Sequence, residues 1–259
     1  MIKSLDRGIK ILDLLVERKA ARMSDVASFF RISRNSAFLF LETLRINSLV
    51  EKDSKTKRYK INAGVLRYSN AFKDDSFGKI AHPFLEKLCA LTKENSHCCA
   101  LSGDRVLVID QVNSQEILGC YKQLGLEEGM YCTSTGKVIL AFLPDEARER
   151  IINSIELLPL TDKTISSKDI LREQLKEIKV DGYALDNEEN VVGVRGLAAP
   201  VRNHDGEVNS CVGISAPATR LEEDKFPDYA KIVKGIAAEI SAQLGYAGGS
   251  FYGLQRSQA

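Results

Sequence analysis

The chain has 259 residues, 44% hydrophobic and 27% charged, the make-up of a globular protein with room for one large domain or two ordinary ones. Its six cysteines form no CxxC pair and no disulfide framework, and no run approaches the roughly 18 apolar residues of a membrane span, which argues against a secreted disulfide scaffold and a membrane protein. The net charge of +1 hides a split: residues 1–62 carry fourteen Lys/Arg against seven Asp/Glu and the remainder is acidic, the footprint of a nucleic-acid-binding module joined to something else.

Residues 4–17 read as a helix with Leu5, Ile9, Leu12 and Val16 on one stripe. No signal-peptide apolar region precedes it, so the protein is expected in the cytoplasm. Residues 23–44 then read as two short helices around a tight turn, with Ser24 and Ser33 as N-caps. Val26, Ala27 and Phe30 share one face of the first; Ala37, Phe40, Leu41 and Leu44 share one face of the second. Packing those faces together turns Arg34, Asn35 and Ser36 outward beside Ser33. Such side chains read base edges and phosphates in a major groove. Phe38 and Leu39 have two readings, contact with thymine methyls or burial in the core. Extended segments at 49–52 and 58–61 flank a polar turn and place Lys52, Lys55, Lys57 and Arg58 where a wing would hold phosphate or the minor groove. The outline is a winged helix-turn-helix over residues 1–62.

Asn62-Ala63-Gly64 breaks the pattern, and a linker helix is expected over 63–77. Its Val65, Leu66, Ala71 and Phe72 lie at helical spacing and form a candidate dimer contact. Residues 80–92 read as an amphipathic helix with Pro83 tolerated near the first turn. The period then switches toward two, giving strands at 97–101 and 105–112 around the hairpin turn Ser102-Gly103-Asp104. A loop carrying Gly125 and Gly129 leads into a helix over 135–143; a second follows Pro144 and a third covers 168–180. Strands at 183–185, 197–202 and 208–215 and a long helix over 224–244 complete an α+β domain at 78–246, an antiparallel sheet with helices on one face. The tail, 247–259, reads as disordered.

Cys132-Thr133-Ser134-Thr135-Gly136-Lys137 enters a helix, and its N–H groups, hydroxyls and close-approach glycine make a natural anion cradle, with an ordinary N-cap as the plainer reading. Its spacing from Gly129 is not that of a Walker A loop. Asp186-Asn187-Glu188-Glu189 lacks EF-hand spacing; Asp186 is expected to accept from a ligand hydroxyl while Glu188 and Glu189 are solvated. His97 and Cys99 share a strand face, half of a zinc site whose other half is not visible, so no metal or cofactor is expected and the thiols read as buried and inert. Three His with no G-x-S-x-G and no H-E-x-x-H leave an enzyme reading without a nucleophile and base, and no catalytic residue is assigned.

In order and spacing, the helix-turn-helix with its wing, Thr133–Lys137 before Leu140-Ala141, Gly182-Tyr183-Ala184-Leu185-Asp186, Glu188-Glu189, the run 193–200 (GVRGLAAP) and Gly213-Ile214-Ser215 resemble the IclR family of transcriptional regulators over residues 3–246. The resemblance implies a GAF/profilin-like C-terminal effector domain and a homodimer or tetramer on a double-stranded DNA operator. It also implies a repressor controlled by a small carboxylate or sugar acid. Thr164-Ile165 followed by the run 186–189 looks most like regulators of sugar-acid catabolism, such as the 2-keto-3-deoxygluconate repressor. Positions matching the family's effector pocket are Ser134, Thr135, Asp186, Val194, Gly196 and Ser215, with the Gly136 N–H added as a donor to the ligand's anionic end. Gly196 replaces a Cys and Gly213 a Ser often found there, which predicts a roomier pocket. Two departures stand out: Leu39 beside Phe38 where the family carries a basic residue, and Arg31 where it carries Gly. The latter demands a left-handed residue or a different turn. The rival reading is a small-molecule or redox-sensing domain protein acting through protein contacts.

Overall fold

The switch between helical and extended periodicity resolves, in the computed structural model, into two separate units, Met1–Asp75 and Ser76–Ala259; residues 2–68 and 77–247 are described. The first unit holds α1 (Lys3–Arg18), α2 (Met23–Phe29), α3 (Arg34–Ile46) and a hairpin of β1 (Val50–Lys52) and β2 (Tyr59–Ile61). Its core gathers Ile11, Leu14 and Leu15 of α1, Val26 and Ala27 of α2, and Ala37, Leu41 and Leu44 of α3 around Val50 and Tyr59. Each large aliphatic side chain buried this way contributes about 1.5–3 kcal/mol. The helix α1 therefore carries two apolar stripes, and the one apparent in the sequence is the outer one: Leu5, Ile9 and Val16 are exposed and Leu12 is half-buried.

The α2–α3 junction explains how a turn without glycine is made. Arg31 takes φ 51°, the left-handed conformation, and the Ile32 N–H returns to the Ala27 carbonyl at 3.0 Å. Ser33 caps α3 as expected, accepting the Ser36 N–H at 3.0 Å. Ser24 is not a cap. It lies inside α2, whose first turn is tied by the Asp25 carboxylate accepting the Arg22 N–H at 2.8 Å.

The second unit begins with α4 (Phe77–Thr92), in which Pro83 sits in the second turn rather than the first. Its sheet is antiparallel in the order β5-β4-β3-β8-β7-β6, from β3 (Asn95–Ser102), β4 (Arg105–Val112), β5 (Glu127–Glu128), β6 (Ala184–Asn187), β7 (Val194–Arg202) and β8 (Val208–Pro217). Between β5 and β6 run α5 (Ser134–Phe142), α6 (Asp145–Ser154) and α7 (Lys168–Asp181); α8 (Phe226–Gln243) closes the unit. Helices cover both faces, not one. Leu197, Val212 and Ile214 pack with α4 and α8, while Ala184, Ala198, Cys99 and Cys211 pack with α5 and α7. Strands buried on both sides lose the polar alternation that would have revealed this.

Of the expected linker, Val65 closes a 3-10 turn at Ala63–Val65, whereas Ala71 and Phe72 lie outside the described residues, as does the tail from residue 248. No helix among the described residues is long and apolar enough to cross a membrane.

Candidate functional site

Two surfaces bear the residues singled out by the sequence, one on each unit. On the first, α3 presents Arg34 and Asn35 to solvent, with Ser33 and Ser36 sharing a hydroxyl contact at 2.9 Å. Phe38 and Leu39 are exposed as well, so the core reading of these two side chains is excluded. The hairpin turn is pinned by Asp53, whose carboxylate accepts the Lys55 N–H at 2.9 Å and the Thr56 N–H at 2.6 Å. Lys57 stands at φ 57° in that turn, and Lys52, Lys55, Lys57 and Arg58 are all exposed, Lys52 resting 5.2 Å from the Tyr59 ring centre. A polar helix start and a cationic hairpin tip on one small basic unit suit a phosphate-lined duplex.

The second surface is built on sheet register. Asp186 pairs with Gly196, Gly196 with Ser215, and Ser215 with Asn95, so these four residues form one row across β6, β7, β8 and β3. The next row on the same face is Ala184, Ala198, Gly213 and His97. Both rows face α5. Small residues at the centre of the face, flanked by polar ones, lie beneath the first turn of that helix.

The start of α5 is set by Thr133, whose hydroxyl accepts the Gly136 N–H at 3.0 Å while its carbonyl accepts the Lys137 N–H. The Gly136 N–H is therefore spent on the cap and is not a ligand donor. Gly136 is required for packing: a Cβ there would meet the Gly129 carbonyl oxygen at 2.2 Å. The first-turn amides of Ser134 and Thr135 are left over by the cap, at the positive end of the helix dipole. Ser134 Oγ stands 2.9 Å from where a Gly196 Cβ would lie, and a Gly213 Cβ would meet the Leu197 carbonyl at 2.5 Å. The space freed by Gly196 is thus filled by Ser134, and that beside Gly213 by β7 itself, so the expected enlargement of the pocket does not occur. Val194 is half-buried at the start of β7, opposite Pro217.

A buried charge network flanks these rows. The Thr135 hydroxyl donates to Glu128 at 3.0 Å, and Glu128 pairs with the Lys122 ammonium. Burial opposes the Lys122 charge, yet Glu128, with Cys99 and Asp186 nearby, offsets it and raises the ammonium pKa. Lys137, almost wholly buried, donates to both carboxylate oxygens of Glu189 at 2.6 and 2.8 Å. Glu189 is accordingly a buried partner and not a solvated residue, while Glu188, at φ 66°, pairs with Lys163 at 2.9 Å. Asp186 accepts the Glu189 N–H at 2.8 Å, and burial pushes its pKa up to about 7.

The structure thus brings Ser134, Asp186, Gly196 and Ser215 together, with Thr135 turned to Glu128 and Gly136 to packing. Nothing in the sequence singles out Lys122, Glu128 or Asn95, or pairs Lys137 with Glu189; His97 stands out there only as half of a metal site. The described residues contain no cluster of three or more His, Cys, Asp or Glu placed for a metal ion. Five of the six cysteines are buried and Cys120 is half-exposed. Burial, with the Asp186 and Glu189 carboxylates nearby, pushes the Cys132 thiol up to about 12, and burial likewise holds Cys98 and Cys211 well above the ordinary range. Thiols held protonated make poor redox sensors.

Comparison with known proteins fits this geometry. Residues 71–242 match the family model described as "Bacterial transcriptional regulator IclR C-terminal". The HTH-type transcriptional regulator KdgR of Escherichia coli K12 is 28% identical over 246 residues, 95% of this chain and 94% of that protein. The HTH-type transcriptional repressor AllR of Salmonella typhimurium is 28% identical over 94% of this chain and 90% of its own. The crystal structure of the Thermotoga maritima IclR superposes with a TM-score of 0.77 at 30% identity, covering 95% of this chain and all of the other.

Proposed function

The chain belongs to the IclR family of bacterial transcriptional regulators, and on that premise we propose that it represses its target by holding an operator through residues 1–62 until a small acid binds beneath the first turn of α5 in the second unit. It is a regulator and not an enzyme, like its relatives. In this reading the first unit is a winged helix-turn-helix. Arg34, Asn35 and the exposed Phe38 and Leu39 meet base edges, and Lys55, Lys57 and Arg58 meet phosphates. Working on DNA, the protein acts in the cytoplasm. One recognition helix spans only half an operator, so two copies are needed; the outward stripe of α1 (Leu5, Ile9, Val16) is the surface through which they join.

The observation that carries the effector reading is the row Asp186–Gly196–Ser215 lying under the free amides at the start of α5. A carboxylate end placed at the Ser134 and Thr135 N–H groups gains from the helix dipole, and a hydroxyl or carbonyl further along reaches Ser215 and Asp186. Gel-shift titration of the neighbouring promoter, with sugar acids and keto acids added, tests this. Ser215→Ala is expected to raise the acid concentration needed for release by about three- to tenfold while leaving acid-free DNA affinity unchanged. An unaltered response would place the effector elsewhere.

A further inference from the structure

Two polar atoms on the sheet face beneath α5 have no partner within the protein: Asn95 Nδ2 and His97 Nε2, both buried. An unsatisfied buried donor or acceptor is costly, and such groups in native structures mark strain or a missing partner. These two stand two residues apart on β3 and share the face that carries Asp186 and Ser215. The Asn95 side chain is held in place from its other end, its Oδ1 accepting the Ser114 N–H at 2.7 Å. Gly119 lies beside Nδ2, where a Cβ would stand 3.2 Å from it and 3.0 Å from the Tyr121 ring. Burial, with the Lys122 ammonium nearby, keeps the His97 imidazole neutral, so Nε2 meets a neutral ligand group.

Resting on the effector reading above, we infer that Asn95 and His97 form a second polar anchor of the effector site, receiving a hydroxyl at the end of the effector remote from its carboxylate. A hydroxyl satisfies both atoms at once, accepting from Asn95 Nδ2–H and either donating to or accepting from His97 Nε2. The strand beneath Ser134 and the strand of the anchor are two apart in the sheet, roughly 10 Å at about 4.8 Å per step. Hydrogen bonds of about 2.9 Å at either end leave roughly 4 Å between the ligand's two terminal oxygens. The ligand class is therefore a short hydroxy acid with its hydroxyl on the third carbon, counting the carboxylate as the first.

The test is calorimetric titration of the full-length protein with propanoate, 3-hydroxypropanoate and glycolate. The hydroxypropanoate is expected to bind about three- to tenfold more tightly than propanoate, and more tightly than glycolate. Asn95→Leu removes the donor without adding a charge, and His97→Phe removes the ring nitrogens. Each should bring the hydroxypropanoate-to-propanoate ratio close to one. Equal binding of the two three-carbon acids by the unmodified protein overturns the inference without any variant having to fold, as does a preference that survives both substitutions. If none of the three acids binds, the effector-site reading falls first and the anchor with it.

Discussion

Asp186 is where burial makes a single proton matter. Its pKa near 7 reflects burial opposed by the Glu189 N–H bond and the Lys137 charge and reinforced by the Glu189 carboxylate; Cys132 and Lys122 are its other ionisable neighbours. Because the folded pKa lies above the ordinary carboxyl value, folding favours the protonated form, and this group's contribution to stability declines as pH rises from about 4 to about 7. An anionic ligand beside it favours the neutral form further. Acid binding should therefore take up a proton and weaken as pH rises through 7, by up to about tenfold per unit above it, and Asp186→Asn should flatten that slope; calorimetry across pH 6 to 8 reads both. A second residue-scale consequence concerns Arg31. Its left-handed backbone costs about 1–2 kcal/mol, and glycine would relieve this at about 0.5–1 kcal/mol of added chain entropy. Arg31→Gly is expected to stabilise the first unit by about 0.5–1 kcal/mol in thermal or urea unfolding.

At the scale of elements, the start of α5 is tied to the Asp186 turn by the buried Lys137–Glu189 pair. Replacing Lys137 by Met should cost about 3–5 kcal/mol by leaving Glu189 buried and unpaired, readable as a lower melting temperature. A cost below about 1 kcal/mol would mean that the turn relaxes outward to water. Much of this framework was legible in the sequence. Ser33, the helical spacing of Ala37, Leu41 and Leu44, and the Asp53–Arg58 turn fixed α3 and its hairpin, because caps and periodicity are local signals. The Lys137–Glu189 pair was not legible, since the partners lie 52 residues apart. The strand β3 begins two residues before its apolar run, at Asn95 and Ser96, so the place of Asn95 on the sheet face is not legible in the sequence. The orientation of α1 was ambiguous for another reason: with two apolar stripes on one helix, only packing decides which turns inward.

For the whole molecule, the segregation of charge predicts how binding responds to salt. Residues 1–62 supply the cations, so log affinity for any duplex should fall linearly with log salt, and Lys57→Ala or Arg58→Ala should reduce that slope by about one unit each. Asn35→Ala should leave the slope alone and relax base preference instead. Paired Leu5→Glu and Ile9→Glu changes on the exposed stripe of α1 leave the core of that unit untouched. They should nevertheless weaken operator binding in proportion to the loss of dimer seen by light scattering; a dimer that survives them would locate the joint elsewhere.

The loop beside Asn95 also offers a spectroscopic window. Cys120 follows Gly119 directly, and with the other five thiols buried it is the accessible one. Its thiol pKa is raised by burial and by Glu94, so alkylation at mildly alkaline pH should place one dye at the edge of the effector site without any engineered cysteine. A change in that dye's emission on adding an acid would report occupancy in real time, independently of whether DNA is present.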